Sequence, residues 1–481
     1  MSKKQNSILD IDKLEYQTYD NMVLVKLIFE ESIPNNWKVK KVKNNVVKPI
    51  TDGPHITPKL VEEGIPFLSV NNIQNNKIVF DNKIRYVSES DANEYRKKTD
   101  IRRNDLLLVK QASIGKLSLV ETDEVLSIWS PLVQFRFKDY IIPKYMKYYM
   151  ESELYQNNLD LTASESTQKN IGMGDIQNLY DILPSKKEQL AIVKFLDSKT
   201  SQIDKKIELL ENQNRLEEEL EKSIVNQCVT KGVDSFTKKD KNGNLIDFDN
   251  TQGLSKEDFD TYMNENGYKD SGIEWIGYVP NYYNIKRVKD MVENVQSGTT
   301  PSSKDAKNKN NQIINWFTPG DLKNNILINS KRKINKYSIE TNQVRLIKKP
   351  SVLLSTVGEI GKIGYSKIET TSNQQITALI PNKKVFLKYM FYILSNNKKY
   401  ITIHANDTTL PQLNNNNLLN INNMVIPSKK EQLEIVKFLD SKTEKIKTSR
   451  EKRSKEIELL KEYKKTLIND VVTGKIKVIK D

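Results

Sequence analysis

The chain has 481 residues, a formal net charge of +14 and one cysteine, Cys228. That length admits two or three domains, the single thiol excludes an internal disulfide, and the charge points to a polyanionic partner. A compositional bias toward Lys and Asn, as in Asn414–Asn417, is the plainer source of the same charge. No run of 18 apolar residues occurs and Met1–Leu9 lacks an apolar signal core, so the expectation is a cytoplasmic protein with no membrane partner.

Residues 1–32 form an N-terminal extension whose apolar run, Met22–Phe29, fits either a strand or a helix docked on the first domain. Residues 33–183 read as that first domain, which is β-rich: short β-branched and aromatic runs punctuated by Asn, Gly and Pro. Residues 184–232 read as one long helix. Pro184 precedes it, and Ser185-x-x-Glu188 has the spacing of a capping box, in which Ser accepts from the N3 amide and Glu reaches back to the Ser amide. Neither Pro nor Gly interrupts it before Gly232. Ser185 to Val229 is 45 residues, or about 68 Å at 1.5 Å per residue.

Residues 233–278 are a polar connector whose Phe236, Phe248 and Tyr262 are compatible with partial order, though it carries no periodic core signal. Residues 279–426 repeat the first domain loosely: Leu106-Leu107-Leu108 and Ile114-Gly115-Lys116 return as Val352-Leu353-Leu354 and Ile360-Gly361-Lys362. Residues 427–475 repeat the helix almost perfectly, Pro427–Thr443 matching Pro184–Thr200 except for Glu434 in place of Ala191; residues 476–481 are a tail. Ser428-x-x-Glu431 repeats the capping box, and Gly474 the stop.

The fold class expected is therefore α+β. Two similar β-rich domains are separated by two long antiparallel helices, an intramolecular coiled coil, in a pseudo-two-fold arrangement. The apolar stripes suggest the pairing. Where the first helix has Ile207 and Leu210 the second has Arg450 and Arg453, and where the second has Ile457 and Leu460 the first has Asn214 and Glu217. Antiparallel packing brings the apolar halves together. Packing of each helix on its own domain alone is the other reading.

Absent motifs also inform. There is no phosphate-binding Gly-x-x-x-x-Gly-Lys-Ser/Thr loop and no Asn/Asp-Pro-Pro-aromatic stretch, while one cysteine and two histidines make a poor metal site. The expectation is a binding subunit with no catalytic residue, no metal and no cofactor of its own.

The duplicated Pro-Ser-Lys-Lys-Glu-Gln and Leu-Asp-Ser-Lys-Thr segments resemble the specificity subunit of type I restriction–modification enzymes. So do Val472-Thr473-Gly474-Lys475-Ile476, Lys269–Gly277, Thr51-Asp52-Gly53-Pro54-His55-Ile56-Thr57-Pro58 and Ser297-Gly298-Thr299-Thr300-Pro301-Ser302. The resemblance runs from about Ile33 to the end; the first helix departs in closing Val-Thr-Lys-Gly. It implies two target-recognition domains, each reading half of a bipartite double-stranded DNA sequence at a spacing set by the helices. It also implies two methyltransferase (modification) subunits using S-adenosylmethionine, and motor–nuclease (restriction) subunits using ATP and Mg2+. The repeated helix surface is then the docking and pairing element, with Ser185, Glu188, Gln189, Leu196 and Ile203 matched by Ser428, Glu431, Gln432, Leu439 and Ile446.

Base and phosphate contacts belong in the divergent loops. The candidates are His55, Thr57 and Lys59; Gln111, Ser113 and Lys116; and Gln168 and Lys169 in the first domain. In the second they are Thr299, Ser302 and Lys304; Glu359 and Lys362; and Gln412. For each one taken singly, a solvated loop residue is the competing reading. Two other functions stay open: a stand-alone DNA-binding scaffold without methyltransferase partners, and a chain with its own catalytic site.

Overall fold

A computed structural model describes residues 17–27, 30–81, 84–163, 169–301, 312–323, 325–406 and 410–479. It divides into two units, residues 1–212 with 452–481, and residues 213–451. Each unit holds one β-rich domain and half of each long helix. The first helix spans Lys186–Lys231 and the second Lys429–Val472.

In the first unit, strands Leu117–Leu119, Leu106–Val109, Leu132–Phe135 and Thr51–Asp52 lie in that order in a four-stranded sheet. Leu106, Leu108, Val133 and Phe135 face one core; Leu107, Val109 and Leu132 face another, as period-two alternation requires. A second sheet joins Ile65–Leu68 in parallel to Ser127–Ile128. In the second unit the corresponding sheet is Val292–Ser297, Ile376–Pro381, Ser351–Ser355, Ile363–Ser366 and Asn325–Ile326. Its parallel pair is Gln312–Phe317 with Thr371–Ser372. One β scaffold has been built twice.

The helix pairing is antiparallel in both units. In the first, Ile203 and Ile207 from the start of the first helix share a core with Ile457, Leu460, Leu467 and Val471 from the end of the second. Leu210 packs against the same core. In the second, Val225, Cys228 and Val229 share a core with Ile435 and Leu439. The stripe gap carries charge: Arg450 lies 3.4 Å from both Glu218 and Glu221. Each helix also packs on its own domain, since Ile192 and Leu196 belong to the first core and Leu439 to the second. The two alternatives raised by the stripe therefore coexist.

One expectation changes, at the first helix. The Ser428–Glu431 capping box is complete, with Glu431 accepting from Ser428 N at 3.1 Å and Ser428 Oγ from Glu431 N at 3.3 Å. At the first helix Ser185 Oγ accepts from Glu188 N at 3.3 Å, but the Glu188 carboxylate accepts the Tyr19 hydroxyl. A tyrosine ahead of the first domain is the competitor that local spacing does not reveal. The order that the connector's aromatics allowed is present. Helix Lys256–Glu265 and the pair Tyr268–Asp270/Tyr278–Pro280 enclose Ile246, Phe259, Met263 and Tyr268. The run Met22–Lys26 is a strand, antiparallel to Glu30–Pro34.

Candidate nucleic-acid interface

In the first domain three loops meet around Lys110, the residue after strand Leu106–Val109. Lys110 N donates to Pro131 O at 2.9 Å, and its carbonyl accepts from Ile171 N at 3.0 Å. Gln111 bridges Asn170, and Ala112 N donates to Lys169 O at 3.1 Å. Ala112 sits at φ +65°, unusual for a residue with a side chain, and Gly115 at +88° closes the turn. Lys169, distant in sequence, is thus brought beside the loop of Gln111, Ser113 and Lys116. Lys116 and Lys169 are exposed, Gln111 and Ser113 half-buried. Lys169 approaches Asp160 at 3.6 Å.

The third loop begins after Asp52, whose carboxylate is buried yet holds two ammonium groups and an imidazole. Lys98 Nζ lies 2.5 Å away, Lys110 Nζ 2.9 Å and His55 Nε2 3.0 Å. Burial raises the Asp52 carboxyl, but the hydrogen bonds and charges of Lys98 and Lys110 outweigh it and hold the group below the usual carboxylate range. His55, Thr57 and Lys59 are exposed just beyond. A second buried carboxylate, Asp105, lies below this rim. Arg136 binds it through Nε at 2.8 Å and Nη2 at 2.7 Å, and Gln134 Nε2 donates to it at 2.6 Å.

The second domain repeats the geometry with other chemistry. Leu413 N donates to Thr356 O at 2.8 Å, Gly358 N to Pro411 O at 2.9 Å, and Val357 bridges Gln412. Gly358 and Gly361, at φ +73° and +83°, stand where Ala112 and Gly115 stand in the first domain. Glu359 and Lys362 join Gln412 here but form an ion pair with each other. Lys362 is therefore a partly neutralised cation. Thr299 is a latch: its Oγ1 accepts from Arg345 N at 2.9 Å and its carbonyl from Trp316 Nε1 at 3.0 Å. Gln168, Ser302 and Lys304 lie outside the described residues.

No sequence motif marks Lys98, Lys110, Asp105 or Arg136 as part of this rim, and Asp52 is not among the candidates above. Asp52 was visible inside its Thr-Asp-Gly motif. Its partners come from other elements, and no local pattern pairs them.

Part of the repeated helix motif makes the same contacts to its own domain in both copies. Gln189 Oε1 accepts from Ile142 N at 2.8 Å while its Nε2 donates to Pro184 O at 3.0 Å and Tyr140 O at 3.2 Å. Gln432 repeats this with Phe386 N, Pro427 O and Lys384 O at 2.9, 2.9 and 3.0 Å. Asp197 takes Tyr148 at 2.8 Å and Asp440 takes Tyr392 at 2.7 Å. Leu196, Ile203 and Leu439 are buried, Ile446 half-buried, and Ser185 and Ser428 exposed. Leu190 and Leu433 occupy the same motif position and are 53% and 42% exposed.

The doubled plan is matched among known proteins. The family model described as "Type I restriction modification DNA specificity domain" matches residues 34–220 and again 280–459. The chain belongs to this family. Among curated members, the MjaIX specificity subunit of Methanocaldococcus jannaschii is 30% identical over 169 residues, 34% of this chain and 38% of that protein. The EcoBI specificity subunit of Escherichia coli is 25% identical over 167 residues, 34% of each chain. The matched stretch is thus about a third of the length of these curated relatives. Among solved structures, a chain from work on assembly and conformational transition of the type I R-M system shares the fold at TM-score 0.64. Identity is 12%, with 92% of this chain and 99% of that one covered. Among the described residues no helix is long and apolar enough to cross a membrane, and no group of three His, Cys, Asp or Glu is placed to hold a metal.

Proposed function

We propose that this chain is the DNA-reading subunit of a type I restriction–modification complex, with each domain reading one half of a bipartite target. The observation that carries this reading is the double occurrence of the family domain. In each copy, loops of divergent sequence converge on one rim, while the helix junction is nearly unchanged. A shared scaffold with two different rims suits recognition of two different half-sites. Catalysis belongs to the partners. The chain docks two methyltransferase subunits and motor–nuclease subunits, which use S-adenosylmethionine, ATP and Mg2+, and it works in the cytoplasm. Two copies of one partner call for two copies of one surface, which the repeated helix segments supply.

The candidate loop residues act as sets: His55, Thr57 and Lys59 with Gln111, Ser113, Lys116, Gln168 and Lys169 in one domain, and Thr299, Ser302, Lys304, Lys362 and Gln412 in the other. Glu359 moderates Lys362. Residues 33–183 and 279–426 are the exchangeable reading parts, and the two helices are the ruler.

Mapping methylated adenines in a genome carrying this chain with its partners tests the reading. Exchange of residues 33–183 for another member's domain is expected to change one half-site only; changes at both, or at neither, reject it. Removing one heptad from both helices is expected to shorten the accepted spacer.

A further inference from the structure

We infer that Asp52 is a positioning residue for recognition by the first domain, fixing the Lys98 and Lys110 ammonium groups and the His55 imidazole as one set at the rim where the three loops meet. This rests on the DNA-reading function proposed above. Asp52 itself is only 5% exposed, so it is poorly placed to touch a base. By its charge alone it would repel phosphate. Its three partners come from three places: Lys98 just beyond helix Glu89–Arg96, Lys110 at the strand end, and His55 in the adjoining loop. Two ammonium groups share one carboxylate, so the set keeps net positive charge. The Lys98 side chain is 50% exposed and that of His55 65%, so these two still face solvent, while that of Lys110, 10% exposed, holds the carboxylate from within. Lysine is a point charge on a flexible stem, and holding it before contact removes an ordering cost from binding.

The second domain shows that the scaffold does not need this arrangement. Asp52 lies across from Val133 in the sheet, and Ser297 across from Thr377; Gly53 and Gly298 come directly after them, and a side chain at either would collide with backbone carbonyls. Lys110 corresponds to Thr356 by the shared loop bonds. There the groups are neutral: Thr356 Oγ1 lies 3.1 Å from Thr377 Oγ1, Thr377 donates to Asn415 Oδ1 at 3.3 Å, and Asn415 Nδ2 to Ser297 Oγ at 3.4 Å. A fold requirement would have kept the carboxylate in both copies. The Asp–Lys–Lys set belongs to what the first domain reads.

The test is selection from a pool of random-sequence duplexes by the full chain purified with its partner subunits. The half-site of the first domain is assigned by the exchange of residues 33–183. Asp52→Asn is expected to weaken selection of that half-site more than tenfold and leave the other unchanged, with Asp52→Glu restoring part of it. Lys98→Gln, which leaves the buried pair intact, is expected to reduce the slope of log affinity against log salt by about one. Equal or tighter binding by Asp52→Asn overturns the proposal, because charge alone would produce that. Equal weakening at both half-sites overturns it as a general loss of structure, and an unchanged salt slope in Lys98→Gln overturns it too. If the unaltered complex enriches no sequence, the DNA-reading function falls and this inference with it.

Discussion

The two β domains share strand order and loop geometry yet stabilise corresponding positions by opposite means. The first buries charge and polar groups: Asp52 with Lys110, Asp105 with Arg136, and Asn45 donating to Asp181 at 2.6 Å. The second places Ser297 and Thr356, Ser351 and Ile380, and Met291 and Met424 at the matching sites, all uncharged. Since the backbone is the same, the charged groups are not needed for the fold. Buried ion pairs are weak evidence for stability and better evidence of a specific requirement nearby.

The comparison is broken most severely at Asp181. The carboxyl is fully buried, and that burial pushes it up to about 7, partly offset by the Asn45 hydrogen bond. Tyr145, Tyr149 and Tyr155 crowd the same core. A folded-state value above the unfolded one means stability is fully present below about pH 4 and is lost as pH rises through about 7. The change across that window is on the order of 4 kcal/mol at about 1.4 per pH unit. Grafting the second domain's solution, Asn45→Met with Asp181→Met, is expected to flatten this dependence. Hydrogen exchange in each unit measures it. A double variant whose first unit keeps the slope would show that Asp181 is not its source.

Next comes Arg136→Met, which leaves Asp105 buried without its cation and is expected to cost the first unit about 3 kcal/mol. The matching Ser351→Ala removes a buried hydroxyl that has no hydrogen-bond partner among the described residues, and its cost is expected near zero. Comparable losses in chemical denaturation would contradict the claim that only the first domain depends on charge.

The copied helix motif should behave in the opposite way. Gln189→Ala and Gln432→Ala each strand one amide and two carbonyls, so each is expected to destabilise its own unit by about 2 kcal/mol. Unequal losses would mean that anchoring is not what the two copies of the motif share. The smallest effect belongs to Lys464→Ala, which removes an exposed pair with Asp204 at 2.7 Å and is expected to cost under about 1 kcal/mol, less at high salt.

Much of this was legible in the chain. Helix positions came from Pro184, the Ser caps and the glycine stops, and the antiparallel match from the complementary stripe gaps at Ile207 and Arg450. Loop identities were legible too, as Gln111, Lys116 and Lys169 show, but not their meeting around Lys110. Thr299 reads as a recognition residue by type, and only its bonds to Arg345 and Trp316 reveal a latch. Tyr19 reaching Glu188, and the small core of the connector, were equally hidden.

The sequence by itself determined the duplication, the long helices and their polarity, because capping and stripe periodicity act within a few residues of one helix. Tertiary structure alone decided which loops share a rim and which carboxylate meets which cation. Those pairings join residues such as Asp52 and Lys98, Asn45 and Asp181, or Asp105 and Arg136, far apart along the chain. Sheet register brings them together, and burial then makes an unpaired charge too costly to leave alone.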